Sequence, residues 1–599
     1  MNLIPKVKSL KITGDLLHYN LPIRICKDSC PFDFETIPIQ CKEIFELNEK
    51  SSIVKFVLDI ELKKEEFIIS ILKSEVLIRS SSVSGALYGF YTLYQLALQD
   101  ELQEMIIQDS PDLEVRGVMI DISRNKIPSM DQLMILISEL SLMKINHLEL
   151  YVEGFSFLVK ALPEGESLTP LTAEEFTFLQ EYAKKLSIDL VPNMNGLGHM
   201  SDWLTLEKYR HLAEKEDGFM AWGHHFKAST LFPLNPDSLK LVETMYEELL
   251  VCSKSKFFNM NLDEPFELGQ GKSKEECEKT SKVEVYLNYV SKLSDFVKSH
   301  QLTPLMWGDV VIHHPEAYSL LPKDVILCDW GYDYDYPFER HTKELSEHGV
   351  KFLLSPGTSS WNSFASRNKD MLATTLGANQ AAKKYQGLGV MTTDWGDFGH
   401  LQYHPFSYRG YLYHAGCSWG EEPTQNELNE WLDVFILKQK GLSSILHQLS
   451  TYSELENQYV YNSTLVFQTM MFTDPDLRTP IALRSDFLKQ SILSRPMTDK
   501  AMDDILKLIL NQKELLKSYD SLEADEINNC ISMMALSINF QKKIIHGLPL
   551  SSDDSNLAQK IIQTHQILWL KRNRSGGMNQ SLSRLVSLKE IIEFLSKQV

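Results

Sequence analysis

Between residues 116 and 416, short apolar runs alternate regularly with amphipathic stretches, and this alternation limits the chain to few architectures. The runs are Gly117–Asp121, His147–Tyr151, Asp189–Met194, Phe257–Leu262, Pro304–Trp307, Val325–Trp330, Lys351–Ser355 and Gly389–Trp395. Stretches between them, such as Met130–Met143 and Val283–His300, carry apolar residues at helical spacing. Strands that alternate with helices build a parallel sheet, and this many βα units over roughly 250 or more residues predict a (β/α)8 TIM barrel, an α/β fold.

The flanks differ in texture. Residues 1–112 mix β-rich runs with one helix: Ile53–Asp59 and Phe67–Leu72 are separated by a charged turn and read as a hairpin, Val76–Ser80 is another strand, and Ser82–Leu98 is helical. Residues 1–112 are therefore read as an α+β domain, 113–421 as the barrel, and 422–599 as a helical domain. In that last part strand signals vanish, and Ile505, Leu508, Ile509 and Leu515 fall on one helix face. The segment Trp569–Arg574 is read as a solvated helix end, with a contact to the barrel or to a second subunit of a homodimer as the alternatives.

Composition excludes several function classes. Lys+Arg total 60 against Asp+Glu 80, a net charge of −20, which disfavours non-specific nucleic-acid or anionic-membrane binding. No run of about 18 apolar residues predicts a membrane span. The basic residues of the N-terminus have no long apolar segment behind them, so no secretory signal is expected. The 8 cysteines are scattered without a C-x-x-C pair, as thiols of a reducing compartment would be, and the expected location is the cytoplasm. The adjacent pairs His224-His225 and His313-His314 lack a third ligand at helical spacing, so no metal is expected. Gly269–Ser273 resembles the end of a phosphate loop but has Phe266 where a glycine is needed.

The chemistry is expected at the ends of the runs. Asp121, Glu153, Asn195, Asp263, Trp307, Trp330 and Trp395 stand at or just beyond them, and barrel active sites lie at the C-terminal ends of the strands. A rim of acids and indoles suits a hydroxylated ligand, because carboxylates accept from hydroxyls and indole faces cover C–H surface. The run ending Asn259-Met260-Asn261-Leu262 is followed by adjacent carboxylates, Asp263-Glu264, and Pro265. Two carboxyls in one pocket cannot both ionise easily, so one keeps its proton and can serve as a general acid.

In order, these motifs resemble glycoside hydrolase family 20, the β-N-acetylhexosaminidases. Arg116–Arg124 is similar to the family's first barrel strand, and Ser82–Leu93 to the helix closing its N-terminal domain. Asn195-Gly196-Leu197-Gly198-His199, Pro233–Pro236 and Asp263-Glu264 follow in the family's order, over roughly residues 50–410. The helical tail resembles the intracellular bacterial exo-N-acetylglucosaminidase branch.

The resemblance implies a retaining, substrate-assisted mechanism without cofactor, in which the sugar's own 2-acetamido oxygen attacks the anomeric carbon. It implies Glu264 as acid and base, and Asp263 as the partner of the acetamido N–H. It implies Arg116 on the 3- and 4-hydroxyls of the terminal sugar and Asp397 on the 4- and 6-hydroxyls. Trp307, Trp330 and Trp395 would wall the acetamido pocket, and His199 would orient the acid with Glu153 behind it. The expected substrate is a small oligosaccharide or glycoside ending in β-linked N-acetylglucosamine or N-acetylgalactosamine.

The chain departs from the family twice. Asn261-Leu262 replaces the usual Gly-Gly before the acid pair. The stretch after the seventh run, Thr358-Ser359-Ser360-Trp361-Asn362, lacks the tyrosine that clamps the acetamido carbonyl. Tyr332 or Tyr334, after the sixth run, is the candidate replacement, and Trp361 joins the candidate binding residues. Two other readings stay open: a glycosidase with a protein carboxylate nucleophile, for which Asp309 and Asp397 are candidates, and a sugar-binding protein without turnover.

Overall fold

The computed structural model describes residues 2–49, 52–99, 101–124, 126–162, 164, 168–221 and 224–598. The eight expected runs form a closed parallel barrel. Its strands are, in order, Val115–Asp121, His147–Val152, Asp189–Met194, Phe257–Asn259, Thr303–Trp307, Ile326–Trp330, Lys351–Ser355 and Gly389–Asp394. Closure comes from the last strand pairing in parallel with the first, Val390 opposite Arg116 and Asp394 opposite Ile120. The helices between the strands bury one face against the barrel. Ala173–Lys185, for example, begins with a Thr172/Glu175 capping box and buries Phe176, Leu179 and Ala183.

The barrel interior is filled rather than hollow. Val115, Met119, Leu305, Ile326, Cys328, Leu353 and Met391 form its apolar part. A polar network lies beside them. Glu149, fully buried, accepts from Asn193 at 2.7 Å and Asn259 at 2.8 Å and meets His147 at 2.8 Å. Each partner satisfies a group that would otherwise be costly to bury.

The N-terminal part is a seven-stranded sheet, and one expectation about it fails. Val54–Leu58 and Phe67–Ile71 do not form a hairpin, because Val76–Ser80 lies between them. That strand runs parallel to the former and antiparallel to the latter. The tight turn is the later one, closed by the Leu72 N–H on the Glu75 carbonyl, whereas the charged stretch 59–66 is long enough to step over a strand. The helix Val83–Leu98, capped by Ser82, is buried from Gly85 to Leu96. Gly89 lets it touch the sheet, since a Cβ there would stand 2.8 Å from Ile78. Its other side meets the barrel through Tyr91 and Ser141 at 3.0 Å, and the helical part through Gln95 and Trp431 at 2.9 Å. A helix enclosed on both sides is apolar all round.

Residues beyond 422 are helical, as expected. The segment Trp569–Arg574 is not a solvated helix end. The Arg572 guanidinium bonds Glu526 and Glu523 on a neighbouring helix and Gln132 on a barrel helix. The Arg572 carbonyl accepts from Ser129 N–H at 2.9 Å, and Arg574 N–H donates to Ile127 at 2.8 Å. The helical part thus grips the loop that follows the first barrel strand. It also grips the loop after the eighth: Tyr403 meets His565 at 2.9 Å and accepts from Asn529 at 2.7 Å. No helix among the described residues is long and apolar enough to cross a membrane.

Candidate active site

The acid pair sits on a strained turn. Past the fourth strand, Asn261, Leu262 and Glu264 have φ of 59°, 69° and 47°. A left-handed residue other than glycine costs roughly 1–2 kcal/mol, so the turn must be held from outside. Asn261 donates to Asn193 at 2.7 Å, and its side-chain oxygen accepts from the Trp307 indole at 2.7 Å. Tyr246 donates to the Met260 carbonyl at 2.9 Å and Tyr286 to the Leu262 carbonyl at 3.0 Å. The Asn261-Leu262 departure is therefore a substitution at positions whose backbone suits glycine. Leu262 is fully buried, so apolar burial offsets part of its strain. Gly198 completes the turn: a Cβ there would lie 2.0 Å from the Asp263 carbonyl oxygen.

His199, with φ 57°, bridges the acids. Its Nε2 lies 3.3 Å from both Asp263 and Glu264, and its Nδ1 lies 3.5 Å from Glu153. Burial alone would lower the imidazole pKa. The Asp263 and Glu153 carboxylates override it and hold the ring well above the ordinary histidine range. Glu153 is fixed in turn by Tyr151, which donates to it at 3.0 Å, and Tyr151 accepts from Asn195 at 2.6 Å. The expected chain Glu153–His199–acid pair is in place. Asp263 is buried, whereas about a third of the Glu264 side chain is open.

One candidate is misplaced in the sequence reading. Arg116 does not reach the strand ends. It is fully buried at the opposite end of the first strand, bonding Glu65 at 2.8 Å, the Lys144 carbonyl at 3.0 Å and the Leu113 carbonyl at 2.9 Å. Its guanidinium stands 5.1 Å from the Trp419 ring. The arginine in the site is Arg124, three residues past the strand. It pairs with Asp121 at 3.0 Å, Glu153 at 3.5 Å and Asp397 at 3.6 Å, and lies 5.2 Å from the rings of Tyr151 and Trp395. Both arginines belong to the same nine-residue motif. The signal that separates them is position: a residue opening a barrel strand points to the closed end, and one following it points to the mouth. Asp121 locks the arrangement by also accepting from the Gly396 N–H at 3.0 Å. Asp397 is pushed up to about 6 by burial, against the pull of Arg124.

The aromatic residues divide into floor and wall. Trp307 and Trp361 are fully buried and support the site from below. Trp330 is half-buried and stacks on Tyr332, with ring centres 5.2 Å apart, and Trp361 meets Tyr332 edge-on at 4.9 Å. Gly357 permits this, because a Cβ there would sit 2.3 Å from the Trp361 ring. Trp395 donates to the Tyr332 hydroxyl at 2.8 Å, and the Thr393 side chain hydrogen-bonds the same hydroxyl. Tyr334 points away: it is exposed and lies under Lys369 at 3.5 Å.

Comparison with known proteins places this geometry. The model of the family described as "Glycosyl hydrolase family 20, catalytic domain" matches residues 114–431, just over half of the chain. The chain belongs to glycosyl hydrolase family 20. Curated relatives include the mouse "Beta-hexosaminidase subunit beta", 22% identical over 317 residues, covering 49% of this chain and 56% of that protein. A "Beta-hexosaminidase" of Vibrio furnissii is 22% identical over 346 residues, covering 49% and 52%. The chain thus spans only about half the length of these curated relatives. Among solved structures, a Flavobacterium johnsoniae chitobiase aligns with TM-score 0.61 at 17% identity over 99% of both chains. A family 20 exo-β-N-acetylglucosaminidase from Vibrio harveyi, solved with N-acetylglucosamine, aligns with TM-score 0.59 at 16% identity, covering 75% and 78%. At these identities the structural likeness establishes the shared fold.

Proposed function

We propose that the protein is an exo-acting β-N-acetylhexosaminidase that removes terminal β-linked N-acetylglucosamine, and N-acetylgalactosamine, from short oligosaccharides by a retaining, substrate-assisted mechanism. The observation that carries this reading is the pair Asp263-Glu264, presented by a left-handed turn and bridged by His199. Family membership and the hexosaminidase relatives support it.

In this mechanism the acetamido oxygen of the sugar attacks the anomeric carbon while Glu264, the more open acid, protonates the departing oxygen. Glu264 then takes a proton from the water that opens the oxazolinium ring. Tethering the nucleophile to the substrate gives the large effective concentration of an intramolecular reaction. Asp263, buried, accepts from the acetamido N–H and faces the developing positive charge, a preorganised electrostatic stabiliser. Tyr332, held by Trp395 and Thr393, turns its hydroxyl to the acetamido carbonyl and takes the place of the missing tyrosine. Arg124 and Asp397 bind the hydroxyls at the far side of the terminal sugar; such a group closing one end of the site favours exo action. The reading invokes no metal or cofactor. The 8 cysteines, all free, support a reducing compartment, and we place the enzyme in the cytoplasm on that ground.

A paired assay tests the reading. A nitrophenyl N-acetyl-β-glucosaminide is hydrolysed and the matching β-glucoside is not, because the glucoside lacks the nucleophile. Comparable rates on both would point instead to a protein nucleophile, and affinity for the sugar without turnover would point to a binding protein.

A further inference from the structure

We propose that Asp309 is a positioning residue of this site, fixing the Glu264 backbone through one carboxyl oxygen and sharing a proton with Asp263 through the other. The inference rests on the hexosaminidase reading above and concerns a third carboxyl that this reading leaves without a task.

Asp309 stands two residues beyond the fifth barrel strand. Its loop is pinned by Gly308, which donates to the Cys328 carbonyl at 2.8 Å and accepts from Val311 at 2.9 Å. The Asp309 Oδ2 accepts from the Glu264 backbone N–H at 3.0 Å. Glu264 is one of the left-handed residues of the turn, at φ 47°, so this bond acts where the backbone most needs restraint.

The remaining oxygens suggest the second role. Asp309 Oδ1 is buried and has no hydrogen-bond partner, and the same holds for Asp263 Oδ1, whose Oδ2 lies beside His199. In the arrangement proposed here a single proton held between the two carboxyls satisfies both orphaned oxygens, as in carboxyl dyads. The groups acting on Asp309 are Asp263 and Glu264; Tyr286 and Tyr336 feel its charge in return, and the cationic partner of Asp263 and Glu264 is His199. Burial first, then the Asp263 charge, pushes the Asp309 carboxyl up to about 7. With Asp309 protonated, no second anion stands beside Asp263 where the oxazolinium forms. Above neutrality a second anion appears beside Asp263, the shared proton is lost, and the aim of Asp263 is disturbed.

The variants Asp309→Asn and Asp309→Leu separate the two roles. The amide in Asp309→Asn can still accept from Glu264 N–H and donate to Asp263, so it copies the protonated acid at every pH. Expected for Asp309→Asn is a kcat at pH 6 within about tenfold of the wild type. The alkaline limb of its pH profile should move upward by about half a unit or more, since one titration is gone. Asp309→Leu leaves the Glu264 amide unpaired and should fall at least about tenfold below Asp309→Asn in kcat. A merely structural role would shift thermal stability and leave the pH profile of Asp309→Asn unchanged. An Asp309→Asn profile superimposable on that of the wild type overturns the inference while leaving the hexosaminidase reading intact, even if Asp309→Leu does not fold. Loss of all turnover in Asp309→Asn, rescued by azide with formation of a glycosyl azide, would identify Asp309 as a nucleophile and overturn both.

Discussion

Glu264→Gln lowers kcat on an N-acetylglucosamine disaccharide by roughly 10²–10⁴-fold, the usual contribution of a positioned general acid. The glutamine keeps the shape of the side chain and leaves the turn and its bond to Asp309 untouched, so the thermal midpoint should hardly move. The loss depends on the leaving group. A sugar alkoxide needs the proton and a nitrophenolate barely does, so the nitrophenyl glycoside should lose far less in the first step. Measuring kcat/KM for both substrates, which reports the first step without the later attack of water, checks this. An equal loss on both would mean that Glu264 does something other than protonate the departing oxygen.

Arg124→Met and Arg116→Met should fail in opposite ways, and the contrast tests where the structure puts the two side chains. Arg124 lies among Asp121, Glu153 and Asp397 at the mouth. Removing it leaves partly buried carboxylates unpaired and takes away the cation proposed to hold the sugar hydroxyls. Breaking such a cluster costs about 3–5 kcal/mol, and if that loss falls on the bound transition state, kcat/KM drops by roughly 10²–10³-fold or more. Arg116 is a buried structural tie between the first strand, Glu65 of the N-terminal part and Trp419. Arg116→Met should cost a similar energy in unfolding stability, with kcat/KM of the folded enzyme close to wild type. Denaturant titration beside steady-state kinetics on both variants separates the two. If Arg116→Met lost catalysis at unchanged stability, the assignment would be wrong.

The barrel was legible in the sequence because its signal is periodic and local. Each strand is a short apolar run bounded by polar residues, and all eight appear close to where the pattern places them. The candidate site was legible where its residues follow a strand end, as Asp263, Glu264, Glu153 and Trp395 do. Arg116 went astray because a resemblance to a motif does not say which of its two arginines is meant, whereas the direction of the strand does. The N-terminal pairing was hidden for another reason: a charged turn between two strands marks a connection and not which strands become neighbours. The role of Trp569–Arg574 was invisible because its partners, Gln132 and Ser129, lie more than four hundred residues earlier in the chain. Strain was the least legible feature of all. Nothing in Asn261-Leu262 as letters announces left-handed backbone, and only the Gly-Gly that the family resemblance implies at those positions hints at it.

The most direct test of the mechanism alters the nucleophile itself. A series of nitrophenyl glucosaminides carrying acetyl, monofluoroacetyl, difluoroacetyl and trifluoroacetyl groups on the 2-nitrogen weakens the amide oxygen stepwise at nearly constant size. If the substrate's amide attacks the anomeric carbon, kcat/KM falls steeply with each fluorine. A rate indifferent to fluorination would mean that the attacking group belongs to the protein or to water, and the account given for Asp263 and Glu264 would not stand.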